Sequence, residues 1–305
     1  MKIKFTKMQA LGNDYIYVDC FKQNLSGINL SDLAKKICHR HFGVGSDGLI
    51  LIAPGKVCKF RMIFYNPDGS EAEMCGNGIR CFARYLYDHC LSKRKTQNIE
   101  TKAGVIKTRI LKTGMVRQFD KLTVLSEAEG QAHHIKDFVI KADIGQPILE
   151  RKRIPMKGKG DFCIDEELKL NGKKVRINCV SLGNPHTVIF VDEFGKNWKK
   201  IGSLVENHPI FPKRTNVEFV KIITQKNIRL KIWERGAGET LASGTGACAA
   251  LVAGVLNNKL ERGIKAKFDH GELQIEWNEE DDHLFMIGPA VETFSGTFNY
   301  IKTAS

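Results

Sequence analysis

The chain has 305 residues, which is enough for one large core or for two ordinary domains. Its apolar content is ordinary and no apolar run is long enough to span a bilayer, so contact with a membrane is not expected. The first residues also lack the continuous apolar stretch of a secretory signal, which predicts a cytoplasmic protein.

The formal net charge of +13 could attract nucleic acid or anionic substrates. The lysines are scattered along the chain, however, as in LKLNGKKVR over residues 168–176. No zinc-finger, basic-zipper or RNA-recognition pattern gives the charge a docking geometry. We interpret the charge as a solvated lysine-rich surface and expect no nucleic-acid partner.

Nine cysteines are present, an odd number, and none forms a CxxC pair. No Cys/His cluster has the spacing of a zinc site, so no metal is predicted. The pattern is typical of a reduced cytosolic protein with buried thiols. It leaves open whether one of the thiols is reactive.

The first elements follow from local patterns. Residues 2–19 indicate two short strands around a Gly-Asn-Asp turn. The stretch NLSDLAKKICHRHFG, residues 29–43, predicts a helix that Ser31 caps and Gly43 ends. Strand patterns then precede a second helix, NGIRCFARYLYDHCL, in which one side is apolar: Ile79, Phe82, Ala83 and Leu86.

A polar segment, SEAEGQAHHI over residues 126–135, is interpreted as the loop between two halves. The second half repeats the plan of strands, helix, strands, glycine-flanked helix and strands. We therefore predict two β-rich domains, each around a central helix and facing each other across a cleft. Their expected bounds are residues 1–130, joined by a last strand at about 290–305, and residues 131–289.

Two helices begin alike, in EMCGNGIRCFARYLY from Glu73 and in TLASGTGACAALVAGVL from Thr240. Cys75 in the first copy corresponds to Ser243 in the second. A helix N-terminus offers unpaired N–H groups to an anion, and it favours the thiolate of a cysteine placed there. Two proton-transfer groups on opposite faces of an α-amino acid would suit racemisation without a cofactor.

A Gly-x-Gly before a helix is often only structural, and after a strand it can also indicate dinucleotide binding. The full spacing of that fingerprint is missing in both GNGIRC and GTGACA. The duplication of the motif is what favours catalysis.

The chain resembles the diaminopimelate epimerase family over nearly its whole length. The matching stretches are MQALGNDYIYVD, CHRHFGVGSDGLI, YNPDGSEAEMCGNGIRCFARYL, VSLGNPHTVIFV, RTNVEFV and WERGAGETLASGTGACAA. The resemblance implies an α+β fold with two pseudo-symmetric domains, each a barrel-like β-sheet wrapped around a central helix. It also implies an isomerase of lysine and peptidoglycan-precursor biosynthesis, usually a homodimer, that interconverts LL- and meso-diaminopimelate without a cofactor.

The family's site residues carry over where the motifs match. Cys75 and position 243 become the two catalytic residues, and His186 lies beside the site. The resemblance assigns substrate binding to Asn13, Asn66, Gly76, Asn77, Asn184, Asn216, Glu234, Arg235, Gly244 and Thr245. Three other cysteines are expected to pack inside the helices: Cys81, Cys90 and Cys248.

The chain departs from the family at Ser243, where a cysteine is expected. A serine hydroxyl is a far weaker acid than a thiol, and a poor base unless another group activates it. Because the rest of the site is intact, an engineered inactivating replacement is favoured over a natural asymmetric pair. The alternatives are a racemase of another amino acid, such as histidine, or a protein that binds an amino acid without turnover.

Overall fold

A computed structural model describes residues 1–112 and 138–301 of the chain. The polar loop predicted over residues 126–135 and the boundary predicted at residue 130 lie outside the described residues. The described part contains four helices: α1 (Leu30–Ile37), α2 (Gly76–Asp88), α3 (Trp198–Glu206) and α4 (Gly244–Leu256). Within this part, none of the helices has the length and apolar character that crossing a bilayer demands.

The strands of the described part fall into two runs. The first run is β1 (Lys2–Ala10), β2 (Asn13–Asp19), β3 (Leu49–Pro54), β4 (Phe60–Tyr65), β5 (Glu71–Ala72), β6 (Thr96–Thr101), β7 (Gly104–Lys112) and β8 (Phe138–Gly145). The second run is β9 (Glu166–Leu170), β10 (Lys173–Ser181), β11 (Pro185–Phe190), β12 (Asn216–Thr224), β13 (Asn227–Glu234), β14 (Gly238–Thr240), β15 (Gly263–Phe268), β16 (Gly271–Trp277), β17 (Leu284–Gly288) and β18 (Val291–Asn299).

The first compact unit contains, among the described residues, 1–112, 138–142 and 288–301. Its strands are paired in the order β18–β1–β2–β3–β4–β6–β7–β8. The β2–β3 and β4–β6 pairs are parallel, and the other pairs are antiparallel. The last strand of the chain thus lies beside the first.

The second unit contains residues 143–287. Its strands are paired in the order β9–β10–β11–β12–β13–β15–β16–β17, with β11–β12 and β13–β15 as the parallel pairs. Strand order and pairing sense therefore repeat those of the first unit, position by position. The predicted α+β class and its internal repeat are confirmed.

Each unit buries one helix almost completely. In α2 every residue from Gly76 to Leu86 is buried, including the four apolar residues expected to share one side. In α4 every residue from Gly244 to Gly254 is buried. A helix that is apolar all round is stable only inside a core, and the alanines, glycines and valines of α4 fit that rule.

The turn before β2 and the turn before β11 share one backbone conformation at their glycines. Gly12 and Gly183 both have a left-handed backbone, with φ of +89° and +91°, a conformation that costs glycine nothing. Each glycine is followed by an asparagine that opens the next strand region, Asn13 or Asn184. The turns thereby deliver two of the predicted site residues to the edge of their sheets.

Two local predictions are wrong. The N-cap of α1 is Asn29, whose Oδ1 accepts a hydrogen bond from the backbone N–H of Asp32 at 3.1 Å, and not Ser31. The helix ends at Ile37, before Gly43, because the chain turns back and the N–H groups of Val44 and Gly45 bond to the carbonyl of Ile37. Asparagine and serine cap about equally well, so the pattern alone could not choose between them.

Replacing Asn29 by alanine should therefore lower the free energy of unfolding by about 1 kcal/mol, since one N-terminal N–H loses its acceptor. Ser31→Ala is the matched control and should cost clearly less. Urea unfolding followed by circular dichroism measures both. A larger loss for Ser31→Ala than for Asn29→Ala would contradict the assignment of the cap.

Candidate active site

Cys75 is the N-cap residue of the buried helix α2. Its Sγ accepts a hydrogen bond from the backbone N–H of Gly78 at 3.3 Å and lies 3.1 Å from the hydroxyl oxygen of Tyr15. A Cβ at position 78 would lie 2.7 Å from Ile50 Cδ1 and 3.3 Å from Sγ itself, so the glycine leaves room for both side chains. The thiol is half-buried and contacts both Gly78 and Tyr15.

A buried arginine supports the start of α2. The Arg80 guanidinium is fully buried and donates to the carbonyl of Gly76 at 3.3 Å and to Asn77 Oδ1 at 2.9 Å. It also donates to the carbonyl of Pro289 at 3.4 Å. A buried charge is tolerated only when it is paired or hydrogen-bonded in this way. Asn77 is thus engaged with Arg80 through its carbonyl oxygen, while its amide group adds donors to the same turn.

Asn13 and Asn66 lie at the same edge of the first sheet. Ile16, Leu49 and Tyr65 sit side by side in register, so the start of β2 and the end of β4 meet at one edge. Asn13 is 6% exposed, and its Oδ1 accepts no hydrogen bond from any described residue. Such a buried acceptor suits an ammonium group. Asn66 is half-buried, and its amide donates to Ser70 Oγ at 3.0 Å.

Charged neighbours brace the turn that carries Asn13. Asp14 pairs with Lys7 at 2.7 Å and with Arg40 at 3.0 Å. Burial raises the pKa of the Asp14 carboxyl, but the hydrogen bonds from Lys7 and Arg40 outweigh it and the net shift is downward. Asp47 accepts from the Asp14 backbone N–H at 3.1 Å and from Arg40 at 2.6 Å. The loop before β3 is therefore tied to the turn before β2.

Ser243 occupies in α4 the position that Cys75 has in α2. The backbone angles are nearly equal, with φ/ψ of −134°/120° for Ser243 and −133°/114° for Cys75. Ser243 Oγ accepts from the Gly246 N–H at 3.1 Å and lies 3.5 Å from Thr245 Oγ1. Gly244 and Thr245 are buried beside it. Ser243 thus caps α4 as Cys75 caps α2.

His186 lies on β11 and is completely buried. Its Nδ1 is 2.7 Å from Glu218 Oε1, and its Nε2 is 3.0 Å from Oδ1 of Asn184. Glu218 lies on the neighbouring strand β12 and is completely buried as well. The predicted neighbours Asn184 and His186 are therefore in direct contact.

Asn216 bridges two loops of the second unit. Its amide donates to the carbonyl of Pro185 at 2.9 Å, and its Oδ1 accepts from the backbone N–H of Arg235 at 2.9 Å. Each amide atom keeps a further hydrogen-bonding position, so binding of a substrate is still possible. Glu234 and Arg235 are half-buried, and the guanidinium of Arg235 donates to the carbonyl of Lys213 at 3.3 Å.

Glu206 holds the loop after Arg235. This buried carboxylate accepts from the Trp233 indole at 2.8 Å, from the Gly236 N–H at 2.8 Å and from Arg214 at 3.2 Å. The carboxylate thereby ties the side chain before the Glu-Arg pair to the backbone that follows the pair.

Four residues that support the site were not predicted from the sequence: Tyr15, Arg80 and Glu218 contact predicted site residues, and Glu206 contacts residues that flank the Glu-Arg pair. The repeat itself contains the signal for the first, because Tyr15 follows Asn13 in LGNDY as His186 follows Asn184 in LGNPH. For the others the signal is a charge inside an apolar helix or strand, as in NVEFV. Such a charge indicates that the residue has a buried partner, but it does not show which residue that partner is.

Solved structures define the class to which this fold belongs. A hydroxyproline epimerase from Agrobacterium vitis is similar over 97% of this chain and 92% of its own, with a TM-score of 0.68 and 11% identity. A probable proline racemase from Agrobacterium radiobacter K84 has the same TM-score and 12% identity, over 99% of this chain and 93% of its own. The fold is thus that of a class that includes racemases and epimerases.

Sequence comparison then gives the family. The family model described as diaminopimelate epimerase matches residues 5–122 and 178–293. A diaminopimelate epimerase from Moorella thermoacetica is 46% identical, covering 96% of this chain and 98% of the relative, and one from Acetivibrio thermocellus is 45% identical with the same coverage. The chain belongs to the diaminopimelate epimerase family, whose members are isomerases.

The expectation that Cys90 packs inside a helix is wrong. Cys81 and Cys248 are fully buried in α2 and α4, but Cys90 is exposed and lies beyond the end of α2 with φ of +57°. Burial also raises the pKa of the Cys81 thiol to about 12.

These differences predict the order of thiol alkylation, because the thiolate is the nucleophile. In a Cys90→Ser background at neutral pH, iodoacetamide should label half-buried Cys75 well before Cys81, whose labelling should appear only as the pH approaches 12. Mass spectrometry of tryptic peptides measures both, and protein unfolded in urea is the control in which every thiol reacts. Equal rates for Cys75 and Cys81 in the folded protein would contradict the environments described above.

Proposed function

We propose that the site supports cofactor-independent epimerisation of LL-diaminopimelate to meso-diaminopimelate, with Cys75 as one acid/base and position 243 as the other. One observation carries the proposal: the two residues cap equivalent buried helices with the same backbone angles, in a chain of this family. The duplication gives two equivalent positions for one proton removal and one proton delivery.

The proposed reaction begins with the Cys75 thiolate taking the α-proton and becoming a thiol. The electron pair left on carbon is delocalised into the substrate carboxylate. The group at position 243 then delivers a proton to the opposite face and is left deprotonated, and the solvent resets both groups. Backbone N–H groups at a helix start stabilise the negative charge that builds on the carboxylate.

Serine at position 243 limits this cycle. A hydroxyl fills nearly the volume of a thiol and still caps α4, so the helix start is preserved. It does not release or take a proton at a comparable rate, because its acidity is far below that of a thiol with a pKa of about 8.5. Loss of one positioned proton-transfer group costs about 10²–10⁴-fold in rate.

The binding roles follow from the donors and acceptors described above. We propose that Asn13 accepts from a substrate ammonium group, because its buried Oδ1 has no donor among the described residues. Arg235 is assigned to a substrate carboxylate, with Glu234 and the remaining asparagines around the two amino-acid ends. That the protein is a homodimer, is located in the cytoplasm and uses neither a metal nor an organic cofactor stays a prediction.

Changing Ser243→Cys should raise the epimerisation rate by about 10²–10⁴-fold, because the second acid/base is restored. Binding should change little. Deuterium incorporation at the α-carbon of each isomer in heavy water measures the rate, and calorimetry measures binding. Ser26→Cys, the same substitution at an exposed turn residue, is the matched control. If the serine form already turns over as fast as the cysteine form, another group near position 243 moves the proton and the two-cysteine scheme is wrong here.

Arg235→Ala should weaken binding of diaminopimelate by about tenfold or more, since a charge-assisted contact with a carboxylate is lost. Arg229→Ala is the matched control, because Arg229 lies on β13, which ends directly before Arg235, and pairs with Asp269 on the surface. Titration calorimetry compares the two. Equal affinities for both variants would remove Arg235 from the binding site.

The same heavy-water assay separates the alternative functions. Deuterium incorporation into histidine or proline, but not into diaminopimelate, would favour a racemase of another amino acid. Tight binding of diaminopimelate without exchange, also after Ser243→Cys, would favour a protein that only binds.

A further inference from the structure

The second unit contains a carboxylate that the proposed reaction does not use. Glu218 lies on β12, two residues beyond Asn216, which pairs with His186 in the parallel β11–β12 register. Both Glu218 and His186 are 0% exposed, and 2.7 Å separates Oε1 from Nδ1. Because an ionised carboxylate only accepts, the proton of this hydrogen bond lies on Nδ1, which donates to Glu218. The other ring nitrogen, Nε2, is then an acceptor, which requires the side-chain amide of Asn184, 3.0 Å away, to present its NH2 group and not its oxygen to the ring.

Burial of the Glu218 carboxylate costs free energy, so its presence in the core requires an explanation. Its Oε2 is buried and accepts no hydrogen bond from residues 1–112 or 138–301. Its neighbour in the strand register is the apolar residue Val188. A buried carboxylate with a single polar contact is a poor source of stability, and apolar residues of similar size often serve as well or better. The contact with His186 is therefore the interaction that explains it.

The first unit shows what the same position looks like without a carboxylate. In the corresponding parallel pair, Tyr17 is paired with Ile50, as Val188 is paired with Glu218. Ile50 packs against Gly78 in the first turn of α2, and Glu218 packs against Gly246 in the first turn of α4. A Cβ at position 246 would lie 2.8 Å from Glu218 Oε1 and 3.1 Å from Ser243 Cβ. The second glycine of GTG thus leaves room for the carboxylate beside the cap.

The repeat also relates His186 to a residue that touches the catalytic thiol. LGNPH aligns with LGNDY, so His186 takes the place of Tyr15, whose hydroxyl lies 3.1 Å from Cys75 Sγ. An imidazole has two nitrogens and two neutral tautomers, whereas a tyrosine has one hydroxyl. A group that fixes the tautomer is needed only in the second unit.

We propose that Glu218 is a positioning residue for proton transfer at this site: it fixes the proton of His186 on Nδ1 and so directs Nε2 toward Asn184. The role in proton transfer rests on the proposed function. The fixed tautomer is a property of the folded chain and does not depend on that function.

Glu218→Gln tests the proposal, because it keeps the shape and removes the charge. In the Ser243→Cys background, the maximal rate of α-proton exchange should fall by about 10- to 100-fold, as is typical when the partner that orients a histidine is lost. KM should change little. Nitrogen NMR of protein labelled at histidine should show His186 protonated on Nδ1 in the parent and no longer in that single form in the variant. Thr187→Val is the control. Thr187 lies on the same strand as His186, and the change removes its buried hydrogen bond to Thr215, so the rate and the tautomer should stay unchanged.

Unchanged exchange and an unchanged tautomer in folded Glu218→Gln would overturn the proposal. If that variant does not fold, Glu218→Asp keeps the charge but withdraws it from Nδ1. A partial loss of rate with a mixed tautomer then supports the proposal, and parental values overturn it. If no form of the protein exchanges the α-proton of diaminopimelate, the proposed function fails, and the NMR measurement still decides whether Glu218 fixes His186.

Discussion

The structure depends on the burial of two complete helix starts. The first backbone N–H groups of a helix have no partner within the helix, and inside a core they have no water either. Each must find an acceptor, since an unpaired buried N–H costs about 1–3 kcal/mol. Cys75 Sγ and Ser243 Oγ meet this need by accepting from Gly78 and Gly246. The side chains that cap the two helices are thus placed where a reactive group would meet a bound anion.

The repeat is exact in topology and inexact in chemistry. Both units use the same strand order and the same parallel pairs around a buried helix. The surroundings of the two caps differ, with Tyr15 and Ile50 in the first unit and His186 and Glu218 in the second. Duplication explains the scaffold, and later divergence explains the buried charges.

The buried charges show how a core accommodates function. Arg80 is satisfied by two carbonyls and an amide oxygen, and Glu206 by three donors, so both fix backbone around the predicted site residues. Glu218 has one polar contact and leaves an oxygen without a partner among the described residues. A fully satisfied charge holds a loop in place, whereas a partly satisfied one indicates a group kept for its interaction with the site.

The sequence by itself determined the α+β class, the internal repeat and the paired helix starts, because periodicity and glycine-flanked motifs are local properties of the chain. Through the family resemblance it also pointed to Asn13 and Asn184, each directly after a glycine. Only the tertiary structure decided that Asn29 and not Ser31 caps α1, that Cys90 is exposed, and which partners Arg80, Glu206 and Glu218 have. The partners of the buried charges depend on contacts between residues far apart in the chain, such as His186 with Glu218 across two parallel strands. A local pattern shows that a charge lies in an apolar segment, but the packing of the neighbouring strands determines which group it meets.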